Sequence, residues 1–266
     1  VRQVDPLMGL GTAAALRRVA AWRSDAAVVF GSGLESLPAG ATVDDELSYG
    51  ELGWPSTAVP GHGNRLRLIR VPTAGGAGLR LALACGRPHG YEGWSRVELE
   101  RPVRDLVSAG AGRVLLTNSC GALRPEVAPG AIVACAEVVA LQAPPVVAVP
   151  PRMPVCTAEE AAAVAASLAP APARVGAYVA VAGPQFETPA EVEWLAGYGD
   201  VVGMSAAPEV RAARVAGAGC CLLALVVNRA AAVGSHEDVL AFAGRLATSL
   251  SAGLPGALQA RWPELA

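Results

Sequence analysis

The chain has 266 residues, of which 53% are hydrophobic and only 17% charged, with a formal net charge of −2. That composition excludes a disordered chain, and the small charge excludes a general binder of nucleic acid or of an anionic membrane. All 21 basic residues are arginine, which removes Schiff-base, pyridoxal and P-loop lysine chemistry at once.

In chain order, residues 11–23 are alanine-rich, carry Leu16 and Val19, and read as a first helix. Residues 26–30 are an unbroken apolar strand that stops at Gly31-Ser32-Gly33. Residues 66–71 and 79–84 read as strands. Residues 92–109 read as a helix with Val97, Leu99, Val103, Leu106 and Val107 on its apolar side. Residues 113–116 form a short strand ending in Thr117-Asn118-Ser119-Cys120-Gly121, and residues 131–141 form another. Thr157 with Glu160 three residues later makes a capping box for a helix over 158–168. Then come a strand (175–181), a short helix (189–195), a short strand (200–203), a helix (209–217), a buried strand (220–227) and a last helix (237–253). Apolar strands alternating with helices predict an α/β fold with a mixed, largely parallel central sheet flanked by helices on both faces. The proline-rich stretches 144–154 and 169–172 are too short for linkers, so a single domain over 1–266 is expected.

The longest apolar stretch, residues 215–227, is shorter than a bilayer span and interrupted by glycine. No basic-then-apolar leader pattern opens the sequence. The six cysteines, Cys85, Cys120, Cys135, Cys156, Cys220 and Cys221, form no C-x-x-C pair and read as buried thiols in a reducing cytoplasm. Three scattered histidines predict no metal site.

Polar residues cluster where apolar strands end: Ser32, Arg87, His89, Asn118, Ser119, Glu187, Ser205 and Asn228. In α/β sheets that end is where ligands bind. Arginine, histidine and serine beside glycine-flanked amides suit an anion. No G-x-x-x-x-G-K or G-x-G-x-x-G is present, which argues against a triphosphate or a dinucleotide. Glu187 and Asn228 together suit a heterocycle bearing both N–H and C=O groups.

Seven segments then fall in one order. They are Gly31-Ser32-Gly33-Leu34, Val59-Pro60-Gly61-His62-Gly63, Gly86-Arg87-Pro88-His89-Gly90-Tyr91-Glu92-Gly93 and Thr117-Asn118-Ser119-Cys120-Gly121-Ala122-Leu123. Ala182-Gly183-Pro184-Gln185-Phe186-Glu187-Thr188-Pro189-Ala190-Glu191 follows, then Val201-Val202-Gly203-Met204-Ser205 with Pro208-Glu209, and Asn228 with His236-Glu237-Asp238-Val239-Leu240. From about residue 26 to 245 the chain resembles the trimeric purine nucleoside phosphorylase family, which includes methylthioadenosine phosphorylases. It departs from the family at Glu137-Val138-Val139-Ala140, where an Asp-His-x-Asn usually stands. A further departure is Arg152-Met153-Pro154, where an Arg-Phe-Pro sends its aromatic ring to a neighbouring subunit.

The resemblance implies reversible phosphorolysis of a purine nucleoside to base and pentose 1-phosphate, with phosphate as co-substrate and no metal or other cofactor. It also implies a homotrimer. Ser32, His62, Arg87, His89, Ser119 and Ser205 would hold phosphate. Tyr91, Phe186, Glu187, Met204, Asn228 and His236 would hold the nucleoside, with Asn228, Glu187 and His89 as catalytic groups. Asn228 favours 6-oxopurines; a methylthioadenosine-type 6-aminopurine enzyme and a weakly active nucleoside- or phosphate-binding paralogue are the alternatives.

Overall fold

Five successive apolar residues suit a strand with no solvent-facing side. In the computed structural model, which describes residues 8–73, 76, 78–142, 151–231 and 236–266, Ala26–Phe30 (β1) is such a strand. Ala27 and Val29 enter one core, and Ala26, Val28 and Phe30 enter the core on the opposite face. A strand apolar on both sides requires helices on both faces of its sheet. Met8–Trp22 (α1), Arg96–Ser108 (α2) and Ala207–Val215 (α5) cover the first face; Ala158–Ser167 (α3) and His236–Arg261 (α6) cover the second. Pro189–Leu195 (α4) seals a small third cluster through Val192 and Leu195.

The remaining strands are Thr42–Ser48 (β2), Arg65–Val71 (β3), Leu79–Cys85 (β4), Arg113–Ala122 (β5), Ile132–Ala140 (β6), Arg152–Pro154 (β7), Ala173–Ala180 (β8), Val201–Gly203 (β9) and Gly219–Arg229 (β10). They make one mixed sheet in the order β10-β6-β8-β9-β5-β1-β4-β3-β2, with β7 added on β6. β10 also pairs with β5, so β5, β10, β6, β8 and β9 close into a ring and β1, β4, β3 and β2 extend from it. The parallel pairings are β1 with β4 and β5, β5 with β10, and β8 with β6 and β9.

Local signals held. Thr157 accepts a hydrogen bond from the Glu160 amide at the start of α3, and Ser95 with Glu98 and Thr188 with Glu191 cap α2 and α4 in the same way. Each such cap contributes about 1 kcal/mol. The helix expected from residue 92 begins instead at Arg96, because residues 90–92 form a separate 3-10 turn and Ser95 supplies the cap. The strand expected to end at Leu116 runs to Ala122. Its polar residues do not end it, because β10 and β9 supply hydrogen-bonding partners as far as Ala122. β2 escapes the apolar pattern because it is an exposed edge strand carrying Asp44-Asp45-Glu46. It is held by cross-strand ion pairs of Asp44 with Arg70 and Glu46 with Arg67. The last helix continues to Arg261.

No helix among the described residues is long and apolar enough to cross a membrane. All six cysteines are free thiols; five are buried and Cys156 is partly so.

Candidate active site

The polar strand ends converge on one open cleft. Of the site residues expected from the sequence, Ser32, Arg87, His89, Tyr91, Ser119, Phe186, Glu187, Met204, Ser205 and Asn228 line it. His62 does not line the cleft but is hydrogen-bonded to Ser32, which does. His236 opens α6, and its side chain lies outside the described residues.

At one end of the cleft the groups are buried and tied to backbone. Arg87 is 2% exposed. Its Nε donates to Glu209 Oε1 at 2.9 Å and its Nη1 to the Thr117 carbonyl at 2.6 Å. Its Nη2 is buried with no hydrogen-bond partner among the described residues, and so are both polar atoms of the Asn118 amide. Asn118 lines the same cleft. A buried polar atom is costly unless it finds a partner. Gly31 permits this packing: a Cβ there would lie 2.8 Å from Asn118 Cα and 3.4 Å from Arg87 Nη1.

Two histidines complete this end. The Arg87 backbone N–H donates to His62 Nδ1 at 3.2 Å, and His62 Nε2 lies 2.7 Å from Ser32 Oγ. An Nδ1 that accepts leaves the neutral ring its proton on Nε2, which then donates to Ser32 and frees the Ser32 hydroxyl to donate elsewhere. His89 rests on Glu92, whose Oε2 accepts from the His89 amide at 2.8 Å and lies 3.3 Å from Nδ1. Glu92 Oε1 accepts from Thr57 Oγ1 and the Ala58 amide, which ties the loop before His62 to the same carboxylate. Ser119 Oγ donates to the Ser32 carbonyl at 3.2 Å, so that hydroxyl joins β5 to the loop after β1. The Ser205 amide donates to the hydroxyl of buried Tyr178 at 3.3 Å.

The other end is more open. Phe186 is 42% exposed, and Glu187 and Asn228 are half-buried. Partial burial pushes the Glu187 carboxyl above its ordinary value, with a smaller push from Glu191. Asn228 lies inside β10, not after it, opposite Gly121 and just beyond a bulge between Val226 and Asn228. A bulge re-aims the side chain that follows it; the Asn228 Nδ2 donates to the Arg229 carbonyl at 3.1 Å. Between the two ends, Tyr91 stacks on His89 with ring centroids 4.8 Å apart. Burial pushes its phenol up to about 12, so it remains a donor at neutral pH. Gly183, at φ 68°, lies against Tyr91 and Met204; a Cβ there would come 2.8 Å from Met204 Cγ and 3.1 Å from Tyr91 Cδ1.

The departures at residues 137–140 fall away from the cleft. Val138 and Val139 are buried in the sheet, and Glu137 pairs with Arg152 across β6 and β7. Met153 packs against the core of its own chain. Sequence reasoning gave no role to Asn118, Glu92 or Glu209. The signal available for each was a polar residue inside a recognised motif, but its partner could be known only from the fold. Among the described residues no group of three or more histidine, cysteine or acidic side chains could hold a metal ion.

The Phosphorylase superfamily model matches residues 26–255. Purine nucleoside phosphorylase of Mycobacterium tuberculosis is 36% identical over 245 residues, covering 86% of this chain and 86% of that protein. Two crystal structures of Schistosoma purine nucleoside phosphorylase are similar at 25% identity. One, in complex with hypoxanthine, has a TM-score of 0.75 and covers 94% of this chain and 95% of that one. The other, in complex with adenosine, has a TM-score of 0.68 and covers 92% and 96%.

Proposed function

The chain belongs to the phosphorylase superfamily, among its purine nucleoside phosphorylases, and from that premise we propose that it is a pentosyltransferase acting on purine nucleosides. Phosphate attacks the anomeric carbon, the bond to the purine breaks, and free base and pentose 1-phosphate leave. The single observation that carries this reading is the cleft that gathers anion-binding groups at one end and a purine-matching Glu–Asn pair at the other.

Cleavage of the C–N bond builds positive charge on the sugar and negative charge on the base. Both must be stabilised more in the transition state than in the substrate. A phosphate held beneath the sugar by Arg87, Ser32, Ser205, His89 and the Ser119 backbone offsets the first charge and is itself the nucleophile. The orphaned Arg87 Nη2 and Asn118 amide would gain partners from that anion or its neighbouring sugar. Asn228 donates to N7 of the departing base and offsets the second charge. Glu187, accepting from N1–H, fixes the base in register. Tyr91 and Met204 face the ribose, with Phe186 packing on the base and His236 at the 5′ end. The reaction as proposed needs no metal and no redox cofactor.

The solved relatives hold a 6-oxopurine in one case and adenosine in another, so base choice rests on this chain's own residues. An ionised Glu187 can only accept, which suits inosine and guanosine and repels the N1 lone pair of adenine. We propose 6-oxopurine nucleosides as the preferred substrates. We further propose a homotrimer, as the family resemblance implies, in a reducing cytoplasm, which fits the six free thiols.

The test is release of hypoxanthine, guanine or adenine from inosine, guanosine, adenosine and methylthioadenosine, each with and without phosphate. Phosphate-dependent release from inosine and guanosine is expected. Adenine release from methylthioadenosine alone would move the chain to the 6-aminopurine class. No phosphate-dependent release from any of them would overturn the reading.

A further inference from the structure

We propose that Glu209 is a positioning residue of the phosphate site: it holds Arg87 so that one guanidinium nitrogen is presented to the anion. The inference rests on the reading of Arg87 as a phosphate ligand and deepens it. A guanidinium has three nitrogens in one plane. Glu209 Oε1 takes Nε and the Thr117 carbonyl takes Nη1. A planar group held at two of its three nitrogens cannot rotate, so the third, Nη2, is fixed. That nitrogen is buried, has no partner among the described residues, and belongs to a residue that lines the cleft. Glu209 itself does not line that cleft, so it acts through Arg87.

The placement of Glu209 follows from the turn after Ser205. Ala206 adopts φ 66°, a positive value unusual for a residue with a side chain. It starts α5 with Glu209 in the first turn, where an acidic side chain interacts favourably with the helix dipole. One short turn therefore supplies both Ser205 and the carboxylate that orients Arg87. The ion pair is buried on both sides, with side-chain exposures of 2% and 9%.

The test compares Glu209→Ala, Glu209→Gln and Glu209→Asp by steady-state phosphorolysis of inosine, alone and with Arg87→Ala. Glutamine keeps the acceptor and its reach; aspartate keeps the charge but falls short by one methylene. Positioning predicts that Glu209→Ala and Glu209→Asp lower kcat/KM for phosphate by about ten- to hundredfold, the worth of one charge-assisted hydrogen bond. KM for inosine should stay within about twofold, and Glu209→Gln should recover most of the loss. Glu209→Ala should add less than about twofold to the loss in Arg87→Ala, because two residues acting through one contact are not additive. If Glu209→Ala does not fold by circular dichroism, the contrast of glutamine against aspartate decides alone. Equal losses in the glutamine and aspartate variants, or losses additive with Arg87→Ala, would overturn the inference. Base release by the wild type that ignored phosphate would overturn the proposed function as well. A phosphate-dependent wild type with unaffected Glu209 variants would overturn only the role of Glu209.

Discussion

The two ends of the cleft are built differently. At the proposed anion end, Thr117 is fully buried, and Arg87, His89 and Glu209 are 2%, 7% and 7% exposed. The chain's own backbone and carboxylates hold them. At the base end, Phe186 is 42% exposed, and Glu187 and Asn228 are half-buried on a loop and at a bulge. A small tetrahedral anion has one shape, so rigid pre-placement of its donors reduces what binding must order. Bases vary in their edge groups, and an open end leaves discrimination to a few side chains. Damage to the first end should therefore be large and general, whereas changes at the second should be smaller and substrate-specific.

Arg87→Ala tests the rigid end most severely. Phosphate saturation should weaken about ten- to hundredfold. Removing one member of a buried pair also costs about 3–5 kcal/mol, here because Glu209 is left alone, so urea denaturation should show a matching loss. Wild-type saturation and stability together would erase the distinction between the two ends. Asn228→Asp tests the open end. The wild type should prefer inosine to adenosine by at least about tenfold, since an unpaired buried group costs about 1–3 kcal/mol. A protonated aspartate can donate to N7 and still accept from a 6-amino group, so the ratio of specificity constants should move toward adenosine. Equal constants in the wild type would show that Glu187 and Asn228 do not set the choice.

Acid sharpens the comparison with a smaller effect. Burial raises the Glu187 carboxyl above the ordinary 4.5. On acidification it gains a proton earlier than an exposed carboxyl does, and the acceptor for N1–H is lost. KM for inosine should rise as pH falls through that raised value, with KM for phosphate following a separate profile, and Glu187→Gln should abolish the inosine inflection. For stability the sign is opposite. A folded-state pKa above the unfolded one gives a contribution present below the unfolded value and lost as pH rises through the folded value. Glu187→Gln should therefore be relatively more stable near neutrality than in acid, read as the difference in melting temperature from wild type. The smallest effect belongs to Thr188→Ala, which removes the cap of α4 beside Glu187. It should cost about 1 kcal/mol and change nucleoside KM a few-fold while leaving phosphate KM alone. A change in phosphate KM would show that the two ends are mechanically coupled.

The sequence by itself determined the α/β alternation and the cap at Thr157, and its resemblance to a known family pointed to ten of the residues that line the cleft. The alternation and the cap depend on periodicity and on residues a few positions apart, whereas the cleft residues were read from motifs recognised in order along the chain. Only the tertiary structure decided that β5 continues through Asn118 and Ser119, since its polar residues face a cleft while β10 and β9 supply the pairing. It also decided that β2 is a strand, because the charges of Asp44 and Glu46 are cancelled by arginines on β3. The residues that hold the site were the hardest to read. Glu209 lies 122 positions from Arg87, and nothing in the spacing of either residue encodes the other. Which carboxylate meets a buried guanidinium is settled only when the sheet brings two distant segments to the same strand ends, where leaving either charge unpaired would cost about 3–5 kcal/mol.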